Sequence, residues 1–442
     1  MNAALSSATL EPSIAALILF GIFFTLMFLR VPVAFALGLA CLPIYVLEDR
    51  LDPQGLIQET FNAFNSFILL AVPFFLLTAN LMNVGGITDR LVRLSRALVG
   101  HFPGGLAQVN VVLSLFFAGV SGSSTADAAS QSKIFIEAQT KEGYDVSFSV
   151  AITAVSAVMA VIIPPSILMI VWGGTLTVSI GALMLAGIVP GLLLALAQMA
   201  TVHAYAVRRG YPTYTRATLR EVVIAALVST PALLTPFIIV GGKIFGWFTA
   251  TESACIAVLY AGVLSAVVYR ETNLAGLKNA LSDTGRLAAV ALFCVGTASA
   301  FGWLLAYYQI PKALLAGVSA WQMGPTMTGF FIAGVFLVVG CFLDAIPAII
   351  IVGTILEPIA KAGGLDPVHF ATIGIVSLAF GLVTPPYGLC LLVACAVAKI
   401  RMGDALKDTL IMLVPMFIVL GLLIAVPQVA LFLPRLFPPG TL

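Results

Sequence analysis

Apolar runs of helical length alternate with short polar stretches along almost the whole chain. They lie at Ile14–Leu29, Val31–Leu47, Ser66–Met82, Ser147–Trp172, Val178–Ala206, Val222–Val240, Ala250–Tyr269, Leu287–Tyr308, Thr372–Ala398 and Leu410–Phe432. As helices such runs suit a hydrocarbon layer about 30 Å thick. Two further regions, about 106–139 and 327–360, have apolar flanks around an interrupted centre. In the first, Val111–Val120 leads into Ser121–Asp127 (SGSSTAD), followed by Ala128–Gln139. Ser, Thr and Gly make a poor helix interior, and Asp127 is costly in hydrocarbon, so the pattern predicts a break. Each flank is about 15 residues, roughly 22 Å of helix, too short to cross. The pair is expected to dip in and return as a re-entrant hairpin, with its tip lining a polar cavity or covered by protein. Ile87–His101 places Leu91, Leu94 and Leu98 against Arg90, Arg93 and Arg96 at helical spacing, which predicts a helix lying in the membrane interface. Ile310–Trp321 is a shorter, less basic counterpart.

Composition fixes the class. Of 442 residues, 61% are hydrophobic and 9% charged, with a mean hydropathy of +1.11, whereas soluble domains carry about 25% charged residues. The chain reads as an all-α polytopic membrane protein. A net charge of +2 without a basic stripe gives no case for nucleic acid. If the amino terminus faces outward and both interrupted pairs return to their side of entry, Arg50, Lys243, Lys312, Lys361 and Arg435 lie outside and the other 16 of the 21 basic residues inside. That asymmetry obeys the positive-inside rule. The first run has no Lys or Arg before it and Arg30 after it, which predicts a retained span rather than a signal peptide. The six cysteines lie in apolar segments without metal-binding spacing and read as core thiols.

The two interrupted regions belong to a longer repeat. SGSSTADAAS, KEGYDVSFSVAI and VIIPPSIL recur in order as GCFLDAIPA, AGGLDPVHFATI and GLVTPPYGL. Asp145 precedes Pro164 by 19 residues, as Asp366 precedes Pro385, and Asp127 pairs with Asp344 after a four-residue insertion. The topology makes one copy enter from inside and the other from outside, and inverted repeats place substrate and coupling ions near the midplane. Each double proline, Pro164-Pro165 and Pro385-Pro386, removes helix donors and frees carbonyl oxygens. Such oxygens, with those of a hairpin tip, suit a small hard cation.

These residues resemble the large membrane subunit of tripartite ATP-independent periplasmic (TRAP) transporters. The match runs through Pro73–Leu91, Gly119–Ala129, IIPPSI (162–167), FTATESA (248–254), GCFLDAIPA (340–348), Leu356–Phe370 and TPPYG (384–388). The resemblance implies inverted repeats of the ion-transporter-superfamily type, two re-entrant hairpins, two proline-broken helices and an elevator movement. It also implies sodium-coupled import of an organic acid across the bacterial cytoplasmic membrane, with at least two Na+, a small four-helix membrane subunit and a periplasmic substrate-binding protein. Carried over by residue, a first Na+ site would use Ser121, Gly122, Ser123 and Ser124 with Ala160, Ile163 and Pro165. A second would use Gly340, Cys341 and Asp344 with Gly381, Thr384 and Pro386. Ser123, Ser166 and Thr384 are candidate substrate contacts. Asp127 and Asp344 either supply charge or, the reading favoured here, support the tips through N-cap-like bonds. Ala160, Ala79 and Ala250 stand where the family usually has glycine, glycine and proline. The division expected is scaffold over 1–65, a first repeat over 66–175 with its hairpin at about 106–139 and broken helix at about 147–172, and connecting helices over 176–285. A second repeat follows over 286–400, with hairpin and broken helix at about 327–360 and 368–398, and then a scaffold helix within 401–442.

The remaining polar residues have plainer readings. Thr249 and Glu252 form a capping box. His101, His203 and His369 do not read as metal ligands or proton relays, and Trp172, Trp247, Trp303 and Trp321 read as interfacial anchors. No GxxxxGKS loop, HExxH motif or Ser-His-Asp arrangement supports nucleotide use or hydrolysis, so an enzyme is not expected. A self-sufficient symporter without a binding protein is the competing reading.

Overall fold

The computed structural model describes residues 10–319 and 321–437, so the expected end segments 1–65 and 401–442 run beyond it at 1–9 and 438–442. Among the described residues the chain is helical without strands: α1 (Pro12–Phe28), α2 (Val33–Leu47), α3 (Gln54–Phe64), α4 (Ala71–Val84), α5 (Ile87–Val99), α6 (Gly105–Ser121), α7 (Ser124–Lys141), α8 (Val146–Ala157), α9 (Ile167–Leu176), α10 (Ile180–Arg209), α11 (Leu219–Ile244), α12 (Ala250–Val263), α13 (Leu274–Tyr307) and α14 (Ile310–Ser319) come first. Then follow α15 (Pro325–Gly340), α16 (Ala345–Ala348), α17 (Thr354–Ala362), α18 (Pro367–Gly381), α19 (Leu389–Ala398), α20 (Met402–Ala425) and α21 (Gln428–Arg435). Among the described residues six helices, counting 250–268 and 345–362 each as one, are long and apolar enough to cross a membrane unaided.

Both interrupted regions are helix–break–helix pairs, α6/α7 around Gly122–Ser123 and α15/α16–α17 around Cys341–Asp344. Both double-proline segments also break their helices, separating α8 from α9 and α18 from α19. Asp145 and Asp366 take the same place, the N-cap of α8 and of α18, so the repeat read from spacing is also a repeat of architecture. Three boundaries differ from the sequence reading. Helix α13 begins 13 residues before Leu287, because Asn273 caps it by accepting from Gly276 N–H at 2.7 Å and the part of the helix carrying Lys278, Asn279, Asp283 and Arg286 can leave the apolar layer. The last apolar run is two helices, since α20 ends at Ala425 and Pro427 precedes α21. Helix α3, which the apolar runs did not include, is amphipathic and packs on α13.

Two groups of helices result. Helices α1–α5 and α11–α13 pack on one another, with α4 against α12 and α13, α2 against α13, and α5 against α11. The pairs α6/α7 and α15–α17 pack with α8–α10 and α18–α21 in the other group. The two repeats also exchange contacts: α7 lies against α19, the far half of the second broken helix, and α9 lies against the Ile349–Gly353 turn of the second pair. Helix association in lipid lacks a hydrophobic drive and leans on hydrogen bonds and close packing. Here Asn110 donates to the Thr153 hydroxyl at 2.7 Å, while the Ser114 hydroxyl meets Gln131 at 2.6 Å and Ser156 at 2.9 Å, tying α6, α7 and α8 together.

Trp172 is not an interfacial anchor. It is fully buried on α9, its ring 5.6 Å from that of Phe336 and 5.2 Å from that of Phe370, over Gly374. The sequence places it at the end of an apolar run, but the chain turns inward there. Trp247 and Trp321 are exposed, and Trp303 lies at the margin of exposure. The Thr249–Glu252 capping box is formed.

An ionic cluster holds the other end of α8. Asp408 accepts from Ser147 at 2.6 Å, Tyr205 at 2.9 Å and Arg209 at 3.2 Å, and Arg209 also pairs with Asp145. Asp408→Ala would leave two hydroxyls and part of a guanidinium without their acceptor. We expect a loss of about 1.5–3 kcal/mol, read as a lower unfolding midpoint in detergent, with Asp408→Asn milder.

Candidate ion and substrate site

At the first break a tight turn over Val158–Val161 ends α8 and the Pro164-Pro165 bond is cis. The prolines lack the N–H groups that would bond to the Ala160 and Val161 carbonyls four residues earlier. The Ser166 hydroxyl takes over the Val161 carbonyl at 2.6 Å. Among the described residues no donor replaces the one missing from Ala160. Ala160 has no positive φ, so alanine in place of glycine leaves that carbonyl where it is.

The tip of the first pair meets this break. Gly122 has φ of 62°, and a Cβ there would stand 2.9 Å from the Pro165 carbonyl oxygen, so only glycine lets the tip approach. Ser123 is the extended N-cap of α7, its hydroxyl 3.3 Å from that of Thr125. Ser121 and Ser124 are buried. The structure thus brings Ser121–Ser124 of the tip together with the stretch holding Ala160, Ile163 and Pro165, which offers hydroxyl and carbonyl oxygens but no carboxylate other than Asp127.

Asp127 does not cap. Ser123 holds the N-cap position, and Asp127 lies one turn into α7, almost fully buried, with the Ser121 hydroxyl as its partner and one carboxylate oxygen unbonded. The spacing of SGSSTAD suggests an N-cap because it does not reveal that the helix restarts at Ser124. Asp344 does cap, accepting from Ala345 N–H at 2.8 Å, and it is exposed.

The second contact is closer. A Cβ on Gly381 would lie 2.5 Å from the Gly340 carbonyl carbon, and one on Gly340 would lie 3.1 Å from the Leu378 carbonyl oxygen. Pro386 and Tyr387 are exposed and Thr384 is half-buried, so this break is open where the first is largely enclosed. Its oxygens are more engaged: Gly381 accepts from Thr384 N–H at 3.1 Å, Leu382 accepts from Cys390 N–H at 2.9 Å, and the Thr384 hydroxyl donates to Phe380 at 2.7 Å. The Cys341 thiol points back to the Leu337 carbonyl at 3.1 Å, leaving only its main chain toward the break. Of the substrate candidates, Ser123 and Thr384 are partly accessible, whereas Ser166 is fully buried with its proton on Val161.

Sequence reading missed Cys390 and Gly187. Cys390, at the start of α19, lies beside Ser124 of α7 and near both Asp127 and Asp344. A Cβ on Gly187 would fall 2.1 Å from the Ile162 carbonyl oxygen, and one on Gly191 2.2 Å from Ile163. The spacing of these glycines on α10 is the small-residue signal that marks close helix approach.

The family model described as "Tripartite ATP-independent periplasmic transporter, DctM component" matches residues 20–429. The sialic acid TRAP transporter large permease protein SiaM of Vibrio cholerae is 37% identical, over 93% of this chain and 96% of that protein. The C4-dicarboxylate TRAP transporter large permease protein DctM of Pseudomonas aeruginosa is 35% identical, over 90% and 94%. Among solved structures, the YdaH transporter of Alcanivorax borkumensis shares the fold with a TM-score of 0.61 at 15% identity, over 87% of this chain and 89% of that one.

Proposed function

We infer that this chain, which belongs to the DctM component family of tripartite ATP-independent periplasmic transporters, is the large permease subunit of a sodium-coupled importer of an organic acid. Its relatives are transporter permeases, not enzymes. The observation that carries the sodium reading is the meeting of Gly122 with the Pro165 carbonyl, beside the donor-deprived Ala160 carbonyl. A sodium ion there would be held by neutral oxygens, which suit a weakly bound cation that must be released again. The second break supplies a matching contact through Gly340 and Gly381.

Two ions fit the electrical requirement. Moving one charge across 100 mV is worth about 2.3 kcal/mol, so a monoanion entering with one Na+ gains nothing from the potential, and a second ion restores the drive. Half-helix amino termini at α7, α9 and α19 would attract the substrate carboxylate. Re-entrant hairpins and an elevator movement agree with the packing, in which α6–α10 and α15–α21 form one group beside the helices α1–α5 and α11–α13. A periplasmic binding protein would deliver the acid, and a small four-helix subunit would join the outer group in the cytoplasmic membrane.

The test is uptake into proteoliposomes holding the full complex, with binding protein and labelled acid. Collapse of the sodium gradient should lower the initial rate at least tenfold, and equal rates would remove sodium coupling. Uptake that persists without the binding protein would instead favour a self-sufficient symporter.

A further inference from the structure

We propose that the cleft between α5, the 210–218 connector and the start of α11 binds the phosphate headgroup of an anionic glycerophospholipid, with its acyl chains along α11. The cleft has a volume of about 440 Å³ and is lined by Arg90, Arg93, Arg96, Tyr214, Arg216 and Ile224, among others. Arg90 is already paired with Glu271 at 2.7 Å and stacked on Tyr269. Arg93, Arg96 and Arg216 have no carboxylate partner among the described residues and are exposed. The lone acidic lining residue, Glu221, is held by the α11 capping box, bonding to the Thr218 N–H at 2.7 Å and hydroxyl at 2.9 Å. Three guanidiniums therefore converge on one space with little to neutralise them, and their planar donors match phosphate oxygens.

The walls are preformed. Ser229 on α11 donates to the Arg90 carbonyl at 3.1 Å, Tyr214 N–H donates to Gly100 at 3.0 Å, and the Arg96 guanidinium lies 4.1 Å from the centre of the Tyr214 ring. The Tyr214 hydroxyl donates to the Glu142 carboxylate, and burial together with that partner pushes the phenol up to about 12, so Tyr214 serves as a fixed wall of the cleft.

Two features favour lipid over free phosphate. The floor of the cleft is Ile224, Ala225 and Val228, and it continues into the exposed α11 residues Leu219, Val223 and Leu227, an apolar track of the kind acyl chains cover. Arg93 and Arg96 lie on the amphipathic α5, on the side to which the charge asymmetry assigns the cytoplasm, where anionic headgroups meet basic segments.

The full-length chain, purified with any co-expressed membrane subunit, would be examined by native mass spectrometry after exchange into phosphatidylglycerol, phosphatidylcholine or inorganic phosphate. Wild type should retain phosphatidylglycerol at least tenfold more than phosphatidylcholine. The triple variant Arg93→Gln, Arg96→Gln, Arg216→Gln should lose that preference, and the triple Lys variant should keep much of it. Photoactivatable phosphatidylglycerol on wild-type protein should label 93–97 and 214–228, a reading that needs no variant to fold. Equal retention by wild type and the Gln variant, labelling confined elsewhere, or phosphate binding as well as phosphatidylglycerol would each overturn the proposal. So would crosslinks showing the cleft covered by the small subunit. None of these readouts uses uptake, so they stand apart from the test of sodium coupling.

Discussion

Alanine at Gly381 is expected to cut uptake at least tenfold while the protein still inserts. The added methyl carbon would stand 2.5 Å from the Gly340 carbonyl carbon and 2.6 Å from its Cα. Both are backbone atoms of the opposing tip, so no side-chain rotation relieves the overlap. The tip and the second broken helix must separate, and the Gly340, Cys341 and Thr384 oxygens would move apart with them. Overpacking costs about 1–3 kcal/mol where neighbours can adjust, and a tenfold rate loss corresponds to about 1.4 kcal/mol. Gly340→Ala is the graded control: its nearest atom would be 3.1 Å away, so it should be markedly milder. Initial uptake rates at matched protein density would measure both, with elution from a sizing column to report folding. Equal and near-normal activity in the two variants would mean that this contact is not part of the transport machinery.

Replacing Trp172 with alanine should produce the largest loss of stability, about 3–5 kcal/mol. The indole fills a slot bounded by Phe336 on α15 and by Phe370 and Gly374 on α18, so its removal leaves a cavity between the repeats. Trp172→Phe should recover much of the loss, because the indole N–H has no partner to forfeit. Thermal unfolding in detergent is the measurement. A midpoint unchanged in Trp172→Ala would contradict the packing described for it.

The breaks themselves were legible because they are chemical. SGSSTAD and the double prolines remove helix-stabilising groups whatever surrounds them, and Asp145 and Asp366 mark helix starts by residue type and spacing. What stayed hidden depends on neighbours distant in sequence. Trp172 looks like an anchor until Phe336 and Phe370 close over it. Asp127 looks like a cap until the first turn of α7 is seen to start at Ser124. Cys390 is an ordinary apolar-segment cysteine in the sequence, and only folding places it beside Ser124 and near Asp127 and Asp344. The family resemblance makes Ser166 a substrate contact, but the carbonyl that the prolines strip of its donor captures the hydroxyl first.

The exchange of contacts between the two repeats bears on how the chain is made. Helix α7 leaves the ribosome some 250 residues before α19, the surface it finally packs against. During that interval its Ser124 and Asp127 side must wait in the membrane or the insertion machinery without its eventual cover, at the cost that uncompensated polar groups carry in lipid. The amino-terminal half is thus a late finisher despite being made first, and a chain truncated before α19 would be left with its polar tip uncovered, an appropriate signal for proteases that clear unfinished membrane proteins.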